Sequence, residues 1–130
     1  MNERIEAIKQ LMVQDQYNEA CKRLIVLFEK NFRDPEVSFL LGKCFFNTGD
    51  ISNAIRFYRK AVELRPWKRE FLLALGRAYE VFGENIKAIE VYRKVLELSP
   101  EYLLAGERLM ALIRASSRGS KVSLNNMTLN

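Results

Sequence analysis

Apolar residues recur along this chain at helical spacing, and the whole pattern repeats after 34 residues. Leu41-Gly42-x-x-Phe45 is answered by Leu75-Gly76-x-x-Tyr79. At the same offset Gly49 matches Gly83, Ala54 matches Ala88, Tyr58 matches Tyr92 and Pro66 matches Pro100. One period earlier stands a weaker copy. Ala7-Ile8-x-x-Leu11 takes the Leu-Gly place, Asp15 the later glycine place, and Ala20, Leu24 and Leu27 the core places. A fixed period of this length marks stacked units that share one core. The pattern predicts helices at about 2–14, 17–30, 35–48, 51–64, 68–82, 85–98 and 100–114. Asp34-Pro35 reads as an N-cap with proline at the first helical position. Ser99-Pro100-Glu101 reads as a second start of the same kind.

Each repeated residue has a physical task. Gly42 and Gly76, with Ala54 and Ala88 facing them, let the helices of one unit approach closely. Phe45, Tyr79, Tyr58 and Tyr92 fill the space between layers. Gly49 and Gly83 end the first helix of their units, where a left-handed backbone is cheap for glycine. The seventh helix has no partner. Its expected apolar face is Leu103, Leu104, Leu109, Leu112 and Ile113, with Glu101, Glu107, Arg108 and Arg114 on the wet side. It suits a cap over the open end of the array. From Ser116 to Asn130 the pattern stops, and residues 116–130 read as a flexible polar tail.

The period, the Leu-Gly-x-x-aromatic and Ala-x3-aromatic spacings and the closing proline resemble the tetratricopeptide repeat, a helix–turn–helix unit. The resemblance covers residues 1 to about 100. It implies an all-α fold of three repeats (1–34, 35–68, 69–102) and a capping helix, bent into a right-handed superhelical arc, within a domain over 1–115. It also implies that the first helices line a concave groove. Counted from residues 1, 35 and 69, its usual ligand-facing positions give an apolar ladder, Ile5, Phe39 and Leu73. They also give a cationic ladder, Lys9, Lys43 and Arg77. Met12, Phe46 and Glu80, with Asn47 beside them, complete the candidate site. Such a groove suits a protein or peptide with apolar and acidic residues. The plainer reading is that the apolar ladder packs between neighbouring first helices and the cations are solvated. The carboxylate clamp by which some members hold chaperone C-termini is not matched by Ile5, Lys9, Leu40, Glu70 and Ala74.

Composition narrows the function classes. The chain has 130 residues, 48% of them hydrophobic, which suits one folded domain. Net charge is +5, from 21 basic and 16 acidic residues. The signs are mixed along the chain, which argues against nucleic acid as the partner. The absence of histidine removes the commonest general base. No catalytic constellation or phosphate loop stands out, so no enzyme, no cofactor and no small-molecule substrate is expected. Cys21 and Cys44 show no metal-ligand spacing; their equivalents, Ile55, Ile89 and Ala78, are apolar, so both are expected to be buried and inert. Trp67, in an inter-unit turn, is expected to staple neighbouring units. On the outer face Arg59–Glu63, Glu90–Lys94 and Arg93–Glu97 have ion-pair spacing. No run is long enough for membrane insertion, and the charged N-terminus is unlike a secretory signal, so a cytoplasmic setting is expected. The leading expectation is a scaffold or adaptor. A chaperone of secreted or assembled subunits, as some bacterial three-unit members are, comes second, and a nucleic-acid accessory protein third. An array with an open end also leaves a homodimer open.

Overall fold

The computed structural model describes residues 2–128 and, of these, the side chains of residues 4–117. Seven helices follow one another: α1 (Asn2–Val13), α2 (Tyr17–Lys30), α3 (Pro35–Asn47), α4 (Ile51–Leu64), α5 (Arg69–Phe82), α6 (Asn85–Leu98) and α7 (Leu103–Thr128). They pair as the hairpins α1–α2, α3–α4 and α5–α6. Each hairpin packs its second helix on the first helix of the next, and α7 closes the series against α6.

The turns explain the pairing. Gly49 and Gly83 adopt φ of +90 and +91, and Asp15, in the equivalent place, adopts φ +59. At all three the next residue donates its backbone N–H back to a carbonyl five residues earlier: Gln16 to Leu11, Asp50 to Phe45 and Glu84 to Tyr79. This closes the first helix and turns the chain into the second. Between units the turns also match. Asp34, Lys68 and Tyr102 each donate a backbone N–H to the carbonyl three residues before. Asp34 caps α3 as its sequence predicts, its carboxylate accepting from the backbone N–H of Glu36 at 3.0 Å and Val37 at 3.4 Å.

The core runs through the whole array. One cluster gathers Ile8, Leu24, Leu41 and Cys44, and a second extends from Phe39 through Leu72, Tyr92 and Val95 to Leu112. Within units two and three the contact is glycine against tyrosine. A Cβ on Gly42 would run into the Tyr58 ring, and a Cβ on Gly76 would meet the Tyr92 ring at 2.8 Å. In the first unit Ile8 stands in the glycine place and Leu24 in the tyrosine place, and both are buried. The pair has exchanged sizes and keeps the volume filled.

Two expectations are corrected at the C-terminal end. Helix α7 begins at Leu103, not at 100, because Ser99-Pro100 is the copy of Arg65-Pro66 and belongs to the inter-unit turn. This puts α7 in the register of a first helix. Ala105, Leu109 and Leu112 take the places of Val37, Leu41, Cys44 and of Phe71, Leu75, Ala78. Ala105 and Leu112 are accordingly buried, whereas Leu103 is 78% and Leu104 52% exposed. The helix also continues through Thr128, where the composition predicts a flexible tail. The apolar points expected there, Val122, Leu124 and Met127, lie outside the residues with described side chains, and Leu129 lies outside the described residues. A third correction concerns Trp67, which remains 65% exposed and joins neither core cluster.

Candidate functional site

The first helices α1, α3 and α5, with α7, present one face. Two depressions lie on it. The first has a volume of ≈ 510 Å³ and is framed by α1, α3 and α5, with Lys9, Met12, Phe39, Lys43 and Asn47 in its walls. The second, ≈ 620 Å³, lies between α5 and α7 and contains Leu73, Arg77 and Glu80. Eight of the ten residues picked out by repeat position therefore border a depression; Ile5 and Phe46 border neither.

The apolar ladder is mostly structural. Ile5, Met12 and Phe39 are buried, and only Leu73 is half-exposed. Phe39 stacks on Phe71 of the next first helix, with ring centroids 4.6 Å apart, and lies 5.7 Å from the Tyr58 ring. Such pairs tie unit to unit.

The cationic ladder is not uniform either. Lys9 Nζ lies 2.8 Å from Glu36 Oε1 on α3 and 3.5 Å from Glu6 Oε1. The hydrogen bond to Glu36 is the main reason the Lys9 ammonium titrates above its ordinary range. Burial opposes it, and the charges of Glu36 and Glu6 add to it. Lys43 Nζ sits 5.5 Å from the centre of the Phe39 ring, and the Arg77 guanidinium 5.4 Å from that of Phe46. The rings orient these two cations without neutralising them. Asn47 is turned back on its own helix, donating from Nδ2 to the Lys43 carbonyl at 2.8 Å.

Glu80 is an internal strut. Its carboxylate accepts from the Tyr92 hydroxyl at 2.5 Å and from two nitrogens of Arg108, one of them Nε at 3.2 Å. Burial pushes the Glu80 carboxyl up, but the hydrogen bonds from Arg108 and Tyr92 outweigh it and hold the group below the usual glutamate range. The contact fastens α7 to α5 and α6. Leu104, Arg108 and Tyr92, together with Tyr17, Lys68 and Phe71, border the depressions although repeat position did not pick them out. The signal for two of them was present: one further period places Leu104 with Glu36 and Glu70, and Arg108 with Leu40 and Ala74.

The thiols are quiet. Cys44 is fully buried, and burial pushes its thiol up to about 12; burial also raises Cys21, which is only partly buried. Among the described residues no group of three or more His, Cys, Asp or Glu is placed to hold a metal ion. Among them also, no helix is long and apolar enough to cross a membrane.

Comparison with known proteins agrees with this architecture. No curated protein is similar enough in sequence to be matched. Several solved structures are similar in fold. The crystal structure of MamA superposes with a TM-score of 0.83 at 23% identity, over 88% of this chain and 67% of that one. The Yersinia enterocolitica type III secretion chaperone SycD, in complex with a peptide of the translocator YopD, gives 0.82 at 16% identity, over 88% and 93%. The first repeat domain of Spaghetti (RPAP3), bound to the HSP90 peptide SRMEEVD, gives 0.80 at 20% identity, over 86% and 89%. At these identities the likeness is one of fold. The family model of the tetratricopeptide repeat matches residues 35–66 and 70–102, the second and third hairpins, and the chain belongs to the tetratricopeptide repeat family.

Proposed function

We propose that this protein is an adaptor that receives a peptide, or a segment of a partner protein, along the face of its first helices. The observation that carries the reading is the pair of depressions on that face, to which α1, α3, α5 and α7 all contribute. Val13, Val81 and Leu104 stand 76%, 57% and 52% exposed at their edges. Uncovered apolar groups around a concavity favour a partner with apolar side chains. Lys43 and Arg77 add a preference for carboxylates between them. Lys9 contributes less, because Glu36 already occupies it. The partner is therefore a segment with apolar anchors and interior acidic residues. A chain-terminal carboxylate is not its main handle, since Ile5 and Leu40 are buried and Glu70 is negatively charged where a clamp would offer polar or cationic groups. The proposal includes a cytoplasmic setting, where both free thiols stay reduced.

Solved relatives of this fold hold peptides, namely SRMEEVD in RPAP3, a YopD peptide in SycD and the chaperone-binding region of PopD in PcrH. The SycD and PcrH chains are covered to 93% and 92%. That near end-to-end match favours a second reading, in which the bound segment belongs to a client kept soluble before assembly. Co-expression separates the two: a client is insoluble without this protein, whereas an adaptor's partner folds alone.

The test is a pull-down from native extract with wild type and with the double variant Lys43→Glu, Arg77→Glu. The expected result is loss of the partner from the variant with unchanged thermal melting. Equal recovery by both proteins removes the first-helix face from consideration.

A further inference from the structure

The charges are distributed unevenly between the two faces of the array. Each first helix is balanced: α1 has two basic and two acidic residues, α3 one and one, α5 two and two. The second helices are not. Three basic residues stand against two acidic in α2, three against one in α4 and three against two in α6, so these helices carry +1, +2 and +1. The cationic excess of the hairpins thus lies on the outer, second-helix face.

It converges on one place. Between α4 and α6, over the C-terminal end of α5, two adjoining depressions of ≈ 410 and ≈ 320 Å³ share Arg59, Glu63, Tyr79 and Lys87. Arg56, Lys60 and Lys94 border them as well. Among the described residues no carboxylate oxygen lies within salt-bridge distance of any of these five cations. The ion pairs expected from helical spacing, Arg59–Glu63 and Glu90–Lys94, do not form, and neither does Arg93–Glu97. Rings hold several of the cations instead. Lys87 Nζ lies 5.8 Å from Tyr79, which borders both depressions; Lys60 Nζ lies 5.4 Å from the Phe28 centroid and 5.2 Å from that of Phe32, and the Arg56 guanidinium 5.7 Å from Phe57, rings that border neither, so these two charges are held at the α2 side of the groove's rim. A cation held over a ring keeps its full charge and loses rotamer freedom before any ligand arrives. Apolar surface lies among these charges: Phe82 is 53% exposed and Ile55 half-buried beside it.

We propose that the groove between α4 and α6 is a second docking site, separate from the first-helix face, for an acidic polypeptide segment that carries an aromatic or aliphatic anchor. Charge complementarity supplies the acidic requirement, and exposed Phe82, with half-buried Ile55 beside it, supplies the place for the anchor. Glu63, Glu84 and Glu90 stand among the cations. An evenly charged phosphate backbone would have to run past them. A peptide can place its carboxylates opposite the cations and leave neutral residues opposite the glutamates. The site is independent of the first-helix reading: no residue that borders it borders either first-helix depression.

The full chain is titrated, with fluorescence anisotropy as the readout, into four labelled probes. They are an Asp/Glu-rich peptide with one central Phe, its Asn/Gln counterpart, the same acidic peptide with Phe replaced by Ser, and a single-stranded oligonucleotide. In the Lys43→Glu, Arg77→Glu background, which disables the first-helix face, binding of the first probe is expected to survive, and to weaken by about tenfold or more when Arg59→Glu, Lys87→Glu is added. It is also expected to weaken with salt and to exceed that of the other three probes. The milder Arg59→Gln, Lys87→Gln gives the same order of effects should charge reversal perturb folding, which circular dichroism monitors. Loss of binding in the Lys43, Arg77 variant alone, or no binding of the first probe, overturns the proposal. Equal binding of the Ser peptide removes the anchor, and tighter binding of the oligonucleotide replaces the peptide with nucleic acid; either result also overturns it.

Discussion

Gly42 and Tyr58 occupy one shared space: the tyrosine ring fills the place where a side chain on residue 42 would begin. Ordinarily Gly→Ala inside a helix gains about 1 kcal/mol from backbone entropy. Here the overpacking cost of about 1–3 kcal/mol opposes that gain. The Tyr58 ring is 3% exposed and has no open side to move into. Gly42→Ala is therefore expected to destabilise the fold by up to about 2 kcal/mol in urea unfolding. In a Tyr58→Leu background the same substitution should become neutral or stabilising, as Ile8 and Leu24 already show in the first unit. Equal destabilisation in both backgrounds would dissociate the glycine from the ring.

Glu80 makes the seating of α7 acid-sensitive. Its carboxyl titrates below the ordinary glutamate value of about 4.3. A group depressed in the folded state contributes stability that is fully present above its unfolded value. That contribution is lost as pH falls through the lower folded value. Comparing wild type with Glu80→Gln isolates this group from the other carboxylates. At pH 7 the variant should be less stable by about 1 kcal/mol, discounted because Arg108 is half-exposed. The gap should narrow as pH falls below the ordinary glutamate value and close below the lower folded one. A gap that stays constant with pH would assign the loss to packing instead of charge.

The hairpins were legible because their signal is local and repeated. Glycines, tyrosines and prolines recur at one period, and the observed helix bounds from α1 to α6 follow it within a residue. The start of α7 departs from the sequence expectation because Ser99-Pro100-Glu101 has the composition of a helix cap, while one further period assigns the same proline to a turn. The weakness of the first copy also has a physical reason. In α3, α5 and α7 three positions face the second helix before them, as Val37, Leu41 and Cys44 do. In α1 two of those places hold Ala7 and Gln10, which are exposed. The candidate site was legible only as positions. Which positions are buried and which charged group has a partner depend on contacts between units, such as Lys9 with Glu36 and Glu80 with Arg108. No single-helix spacing contains that information.

Asp15 offers a stabilising change. It adopts φ +59 at the place where the other two units have glycine, with the same backbone hydrogen bond from the following residue. The left-handed region costs an L-residue about 1–2 kcal/mol, less for aspartate than for most. Asp15 is exposed and its side chain fills no core space. At Gly49 and Gly83 the surroundings of the missing Cβ are empty, so the turn needs no side chain there. Asp15→Gly is expected to stabilise the first hairpin by about 0.5–1 kcal/mol, after allowance for the greater freedom of glycine in the unfolded chain. Thermal melting should rise by about 2–4 °C. Asp15→Ala, which keeps a Cβ and loses the polar group that tolerates this backbone, should melt lower than wild type. A lower melting temperature for the glycine variant would mean that the Asp15 carboxylate, not the backbone, stabilises the turn between α1 and α2.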